Sequence, residues 1–486
     1  MLQGRMPPDP RPSRRAWWWA AWFAVVLLGW NSCSSHRRAQ AVGDMLGSGH
    51  YEVSLTTAVA ALRAAGTDDG DINRYLAYVS AVLGRPYQGY YVRPIEGWKV
   101  DARTLHEGND GRDVNDPRSV APVVPARPLF PYRDFSVEYP PGFFLFALPP
   151  ALMSDDLDAY RLLFSGLMAL LLTAALGLCI AIARRLSPGR ADDLLPAAVL
   201  CAAALGIIAV RRYDAAVSLS LCGLCFGCVA RRPLLAGLFF GLGVAAKGLP
   251  ILLTPLPLIY FFAQRRLREA ALATFAAVGI GLCIGLPFLR TAGSHLFDMI
   301  AYHAGRPLQV ESTFGALLTV YRLIDPAAVT IAHTYGSANP VAAWDGPLRQ
   351  LASLLPLLAL GAVSVVTFLA CQPPSQFEAR DERDCGQALV RGLCAALVGV
   401  MTLGKVFSPQ YVTWLLPLGV LASLFDGRAA MRRFTLAMAL TQLVYPLLYR
   451  AELANSLSPL FGAVVLLRNG LLLYWAVRLL LPPRPR

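Results

Sequence analysis

Apolar runs long enough to cross a lipid bilayer recur along this chain of 486 residues, and they leave few folds open to it. In hydrocarbon every backbone N–H and C=O needs a partner within the chain, which restricts spanning segments to helices or closed barrels. Runs of about 20 apolar residues without strand-like alternation read as helices. Composition agrees: 56% of the residues are hydrophobic and 15% charged, with a mean hydropathy of +0.48, against about 45–50% and about 25% in soluble domains. The chain therefore reads as an all-α polytopic membrane protein.

The first apolar run, Ala16 to Trp30, follows Arg11, Arg14 and Arg15, which places the N-terminus on the cytoplasmic side. Trp17, Trp18, Trp19 and Trp22 suit a helix seated at an interface. His36, Arg37 and Arg38 stand where a signal peptide is neutral, so the run reads as a retained anchor rather than a signal cleaved after Ala41. Further spans fall near 158–183, 194–210, 214–230, 232–246, 249–263, 268–289, 347–371, 387–406, 410–425, 433–449 and 457–481. That makes about twelve, within a range of roughly 10–13. The pieces 232–246 and 249–263 are short, and one broken hairpin around Lys247 is the alternative. With this count Arg231/Arg232, Arg265/Arg266/Arg268, Arg428/Arg432/Arg433 and Arg484/Arg486 all face the cytoplasm, as does the C-terminus.

Three regions follow. Residues 1–44 hold the cytoplasmic N-terminus and first anchor, 45–157 a large extracytoplasmic loop, and 158–486 a multi-span domain with a second outer loop at 290–346. Within the first loop, Phe143 to Met153 is too short to span and contains Pro149 and Pro150, so it reads as a re-entrant or interfacial helix. The formal charge of +13 lies in short clusters between apolar runs, which points to a bilayer surface and away from nucleic acid. Cytoplasmic loops are too short for a nucleotide-binding domain, and neither phosphate-loop nor dinucleotide fingerprints occur. Most of the ten cysteines lie inside apolar runs, where they act as small hydrophobes, so no structural disulfide is expected. Cys222, Cys225 and Cys228 have metal-like spacing but lack a fourth ligand nearby. No metal or other cofactor is assigned, and whether a divalent metal assists is left open.

Ionisable residues at the edge of an apolar layer are costly and mark candidate functional positions. On the outward side these are Asp71, Arg74, Glu138, Arg211, Arg212, Asp214, Lys247, His303, Arg306, Glu311, Lys405 and Arg450, with Tyr75, Tyr139, Gln309, Gln410 and Tyr411 as polar neighbours. Cations in excess around a few carboxylates suit an anionic group such as a phosphate, with a carboxylate as general base. Each position also has a structural reading. Asp71 heads an amphipathic helix and can simply cap it. Glu138-Tyr139-Pro140-Pro141-Gly142 can be no more than a stiff helix start. Lys247 can snorkel to the interface. Tyr302 to Glu311 can form a solvated loop face, and Arg468-Asn469 in the last span suits an interhelical contact.

The stretches DINRYLAYVSAVLGRPY, PYRDFSVEYPPGFFLFALP, RRYDAAVSLSLC, RRPLLAGLFFGLGVAAKGLPILLTPLPLIY, YHAGRPLQVES, KVFSPQYVTWLLPL and LLRNGLLL occur in order between about residues 71 and 475. Together they resemble glycosyltransferase family 87, integral-membrane enzymes of the GT-C superfamily that use polyprenyl-phosphate sugars. The resemblance implies a multi-span helical bundle with its active site outside the cytoplasm, at the plasma membrane. It also implies transfer of a hexose, commonly mannose, with inversion to a lipid, glycan or protein acceptor. Carried onto this chain, the catalytic aspartate of the first outer loop is Asp71, with Lys247, His303 and Arg306 as donor-phosphate candidates. Asp134 and Asp214 are alternatives for the base, because a Pro-, Arg- and Asp-rich insertion at 88–130 separates Asp71 from the PYRDF segment. A transporter or flippase of a phosphorylated or lipid-linked substrate is the competing function, although no internal repeat of the kind such carriers show is visible.

Overall fold

The computed structural model describes residues 70–89, 91–93, 95, 122–372, 381–449 and 453–481. The expected first anchor, most of the 88–130 insertion, Arg450 and the C-terminal arginines lie outside these residues. The described chain is helical apart from two two-stranded ladders. Helix α1 (Gly70–Val82) is followed by β1 (Tyr87–Gln88), which pairs antiparallel with β2 (Pro122–Val123). The insertion thus leaves and returns through one short ladder, and Leu129 N–H then donates to the Ala81 carbonyl at 2.9 Å.

Phe144–Met153 forms α2, entered through a 3₁₀ turn at Pro141–Phe143. The prolines open that turn at positions whose amides have no helical partner. Then come α3 (Leu157–Leu186), α4 (Leu194–Leu205), α5 (Ile208–Arg211), α6 (Asp214–Val229), α7 (Pro233–Lys247), α8 (Pro255–Ala263) and α9 (Leu267–Ala292). Asp156 caps α3 by accepting from Ala159 N–H at 2.8 Å, and Arg184 and Arg185 sit in its last turn, where the helix dipole favours cations. After α10 (Asp298–Gly305) and α11 (Thr313–Tyr321), a hairpin of β3 (Thr330–Thr334) and β4 (Ser337–Val341) completes the second loop region. The chain ends in α12 (Gly346–Cys371), α13 (Glu382–Leu403), α14 (Leu416–Asp426), α15 (Arg428–Gln442) and α16 (Pro459–Leu480).

Helices fall within the apolar runs read from the sequence, but several runs are broken: 194–210 into α4 and α5, 249–263 and 410–425 by 3₁₀ turns at Leu249–Leu253 and Pro409–Leu415. Among the described residues, five segments are long and apolar enough to cross a membrane: Leu157–Leu186, Leu267–Gly305, Gly346–Cys371, Glu382–Leu403 and Pro459–Leu480. Helices α6 and α7, at 16 and 15 residues, are shorter than a usual span. One expectation fails: Cys371 and Cys385 form a disulfide, joining the end of α12 to the start of α13. Reading every cysteine in an apolar run as a small hydrophobe overlooked that two helix ends joined by a short loop bring their thiols together. Cys222, Cys225 and Cys228 are buried in α6, and Cys179 Sγ lies 3.4 Å from Cys222 Sγ.

The close seam between the first loop and the bundle runs through Gly142. A Cβ there would stand 2.6 Å from the main chain of Ala245, so the EYPPG segment and α7 touch backbone to backbone. We expect Gly142→Ala to destabilise the fold by about 1–3 kcal/mol, as overpacking does, read as a lowered thermal midpoint. Gly189→Ala, where a Cβ meets nothing within 4 Å, should stay within about 0.5 kcal/mol of the parent.

Candidate active site

Asp71, Arg74, Tyr75 and Tyr78 recur at helical three- and four-residue spacing and share one face of α1. Asp71 Oδ2 lies 2.6 Å from Arg212 Nε, and its Oδ1 lies 3.9 Å from Arg74 Nη1. Arg74 also reaches Glu138 Oε1 at 2.5 Å, while the Tyr78 hydroxyl donates to Glu138 Oε2 at 2.6 Å. Two carboxylates and two guanidinium groups therefore alternate from the α5–α6 corner to the EYPP segment. Tyr75 is buried against the rings of Tyr139, Phe143, Phe164 and Tyr213, which fixes how far α1 sits into the bundle.

A second pair lies beneath the first. Asp214, at the start of α6, accepts from Trp414 Nε1–H at 2.6 Å and pairs with Lys247 Nζ at 3.2 Å. Gly248, with φ of 73°, ends α7 directly after Lys247. The Lys247 ammonium stands 4.1 Å from the Tyr213 ring centroid and within 6.0 Å of those of Tyr411, Tyr139 and Trp414, a cation–π enclosure.

Arg306 differs from these cations. Its Nη2 donates to Ser337 Oγ at 3.4 Å, it makes no ion pair among the described residues, and its Nε has no partner. Its charge nevertheless acts on Asp71. His303 Nε2–H donates to the Glu138 carbonyl at 2.9 Å, so that nitrogen carries a proton. Lys405 donates to the Ala304 carbonyl at 2.7 Å. Gln309 and Ser408 are joined at 3.1 Å. Gln410 is half-buried beside Tyr411, without a bond to these groups among the described residues. Asp71, Tyr75, Glu138, Tyr139, Arg212, Asp214, Lys247, His303 and Arg306 are thus brought together, with Tyr411 against Lys247 and with Gln309, Glu311 and Lys405 on adjoining segments.

The three candidate bases differ in access and partners. Asp214 is fully buried, with Oδ1 accepting from Trp414 and Oδ2 from Lys247 at 3.3 Å. Asp134 is held in its own turn by Arg127, Arg133 and the Phe130 amide. The Asp71 side chain keeps 24% of its surface exposed, and Oδ1 is its less committed oxygen. Burial opposes its charge, but Arg212 and Arg74 outweigh it and hold the carboxyl below its ordinary range, so it is ionised at neutral pH. Glu138 is likewise lowered: burial opposes ionisation, and Arg74 and Tyr78 overcome it. Arg74, Tyr78 and Trp414 complete the arrangement. The first two were legible as the i+3 and i+7 neighbours of Asp71, whereas nothing local in the sequence marks Trp414 as the partner of Asp214.

Glu311, between α10 and α11, is buried with Oε2 unpartnered. Burial pushes its carboxyl up to about 7 from an ordinary 4.5, against the pull of its own backbone and of Arg468 and Arg306. A raised acid binds its proton more tightly when folded. Its stabilising contribution is full below the ordinary value and is lost as pH rises through about 7. We expect Glu311→Gln to flatten the fall in thermal midpoint between pH 5 and 8 measured for the parent protein.

Residues 137–306 match the model of glycosyltransferase family 87, and this segment carries Glu138, Arg212, Asp214, Lys247, His303 and Arg306, with Asp71 preceding it. No curated protein and no solved structure matches the chain. The match runs across the segment that supplies most of the clustered charges, and over residues 137–306 the chain is similar to glycosyltransferase family 87.

Proposed function

We propose that this membrane glycosyltransferase moves a hexose, with mannose favoured, from a polyprenyl phosphate to an extracytoplasmic lipid, glycan or protein acceptor at the plasma membrane. The observation that carries the reading is Arg306. Asp71 is paired with Arg212, Glu138 with Arg74 and Asp214 with Lys247. Arg306 is left beside them as a cation in no ion pair among the described residues, a place suited to a phosphodiester and to the greater charge of the departing phosphate.

The reaction is one inverting displacement. The acceptor oxygen bonds to the anomeric carbon as the bond from that carbon to the phosphate oxygen breaks, and the electron pair leaves with the phosphate. Asp71 Oδ1 takes the acceptor proton. Arg212 holds Oδ2 and thereby turns Oδ1 toward the acceptor. A carboxylate weakened by two guanidinium groups is adequate here, because the hydroxyl acidifies as its oxygen bonds to carbon and the proton can leave late. His303 fixes the Glu138 main chain, while the Lys247–Asp214 pair supports the floor formed by Tyr213 and Tyr139.

Transfer of radiolabelled mannose from polyprenyl-phosphate mannose tests this. Asp71→Asn and Asp71→Ala should slow turnover by about 10²–10⁴-fold, and Asp134→Asn should stay within about twofold of the parent. Full activity in the Asp71 variants removes it as the base. A purified parent protein that does not bind polyprenyl monophosphate removes the proposed donor class.

A further inference from the structure

Arg468 lies in the middle of α16 with none of its surface exposed. Among the described residues it forms no ion pair, and its Nη1 has no hydrogen-bond partner. A buried arginine outside any ion pair, inside an apolar helix, costs far more than a leucine at the same place. Its contacts indicate what it does. Nη2 donates to the main-chain oxygen of Glu311 at 2.8 Å rather than to that residue's carboxylate. Nε donates to Asn469 Oδ1 at 2.8 Å, and Asn469 Nδ2 donates in turn to the same Glu311 carbonyl at 3.4 Å and to Thr313 Oγ1 at 3.1 Å. The guanidinium sits 4.2 Å from the Phe407 ring centroid, which sets its plane. Two adjacent side chains of one helix therefore fix a single carbonyl, and that carbonyl belongs to the segment running from Arg306 to Ser312.

The rest of this segment is pinned from other directions. Gln309 N–H donates to the Lys405 carbonyl at 2.9 Å, Val310 N–H to the Ala338 carbonyl at 3.0 Å, and Ser312 Oγ accepts from Gly315 N–H at 3.0 Å to start α11. At the other end the Arg306 N–H donates to the His303 carbonyl at 3.4 Å, while its guanidinium meets only Ser337 Oγ among the described residues. We infer that Arg468, with Asn469, is a positioning residue for the transfer reaction: by holding the Glu311 carbonyl it sets where Arg306 presents its charge to the donor phosphate. This inference rests on the role proposed for Arg306.

The test is a double-mutant cycle read as the dissociation constant for polyprenyl monophosphate, with the thermal midpoint recorded for each variant. Arg306→Gln should weaken binding by about tenfold, the size of one lost charged hydrogen bond. Arg468→Met should weaken it by a similar factor alone and add little in the Arg306→Gln background, because both act on one contact. Arg468→Lys, which keeps the charge without the planar fork, should resemble Arg468→Met. Effects of Arg468→Met and Arg306→Gln that multiply independently overturn the inference, as does restoration of parent affinity by Arg468→Lys. Should Arg468→Met not fold, Asn469→Ala takes its place in the same cycle under the same criterion. If Arg306→Gln itself leaves affinity unchanged, the donor-phosphate role of Arg306 fails instead.

Discussion

The ion pair between Asp71 and Arg212 ties a helix from the first loop to the corner where α5 meets α6, and the remaining arrangement follows from it. Helix α1 has only 13 residues and no apolar stretch able to anchor it in lipid. What seats it is an aromatic contact around Tyr75 together with charges that need partners once removed from water. Arg212 needs Asp71, Arg74 needs Glu138, and Glu138 also accepts from Tyr78 on the same helix face. Each bond narrows the placement of the next, so the Asp71 carboxylate is set by groups from three separate parts of the chain.

The same helices carry opposite chemistry at their two ends. Asp214 opens α6 and Arg231 follows its far end; Pro233 opens α7 and Lys247 closes it. At 1.5 Å per residue, the two ends lie about 22–24 Å apart. At the end away from the proposed site, Glu382 binds both Arg231 and Arg266, the latter at 2.6 Å, and joins the starts of α9 and α13. Cations that meet carboxylates in one self-contained cluster at one end, and a cation left without a carboxylate at the other, give the bundle a chemical polarity.

Much of this was legible from hydropathy. The apolar runs reappear as helices because in lipid the backbone has no other way to satisfy itself. The outward ionisable residues converge because buried charge requires charge. Which carboxylate meets which cation was not legible, since the pairs span up to 141 residues of chain between Asp71 and Arg212. Lys247 illustrates the difference: its sequence neighbourhood marks a cation at a helix end, but only the fold shows that Asp214 and four rings enclose it, leaving Arg306 the freer cation. Arg468 and Asn469 read as an interhelical contact, and they are one. That their target is the main chain of Glu311 depends on where the 306–312 segment passes α16.

A long excursion after a helix, such as the insertion at 88–130, can carry that helix anywhere. Here the two ends of the insertion are held together. Tyr87 and Gln88 pair with Val123 and Pro122, and the Pro128 ring packs over Gly84 where α1 ends. The Leu129 amide then returns to the last turn of α1 through the Ala81 carbonyl. An insertion closed at its base by a ladder can vary in length without moving what flanks it, since extra loop residues cost entropy only logarithmically. Helix α1 and the PYRDF–EYPP segment are therefore neighbours in space as they would be without the insertion. Glu138 meets Arg74 and Tyr78 because the chain leaves the site and comes back to it at the same place.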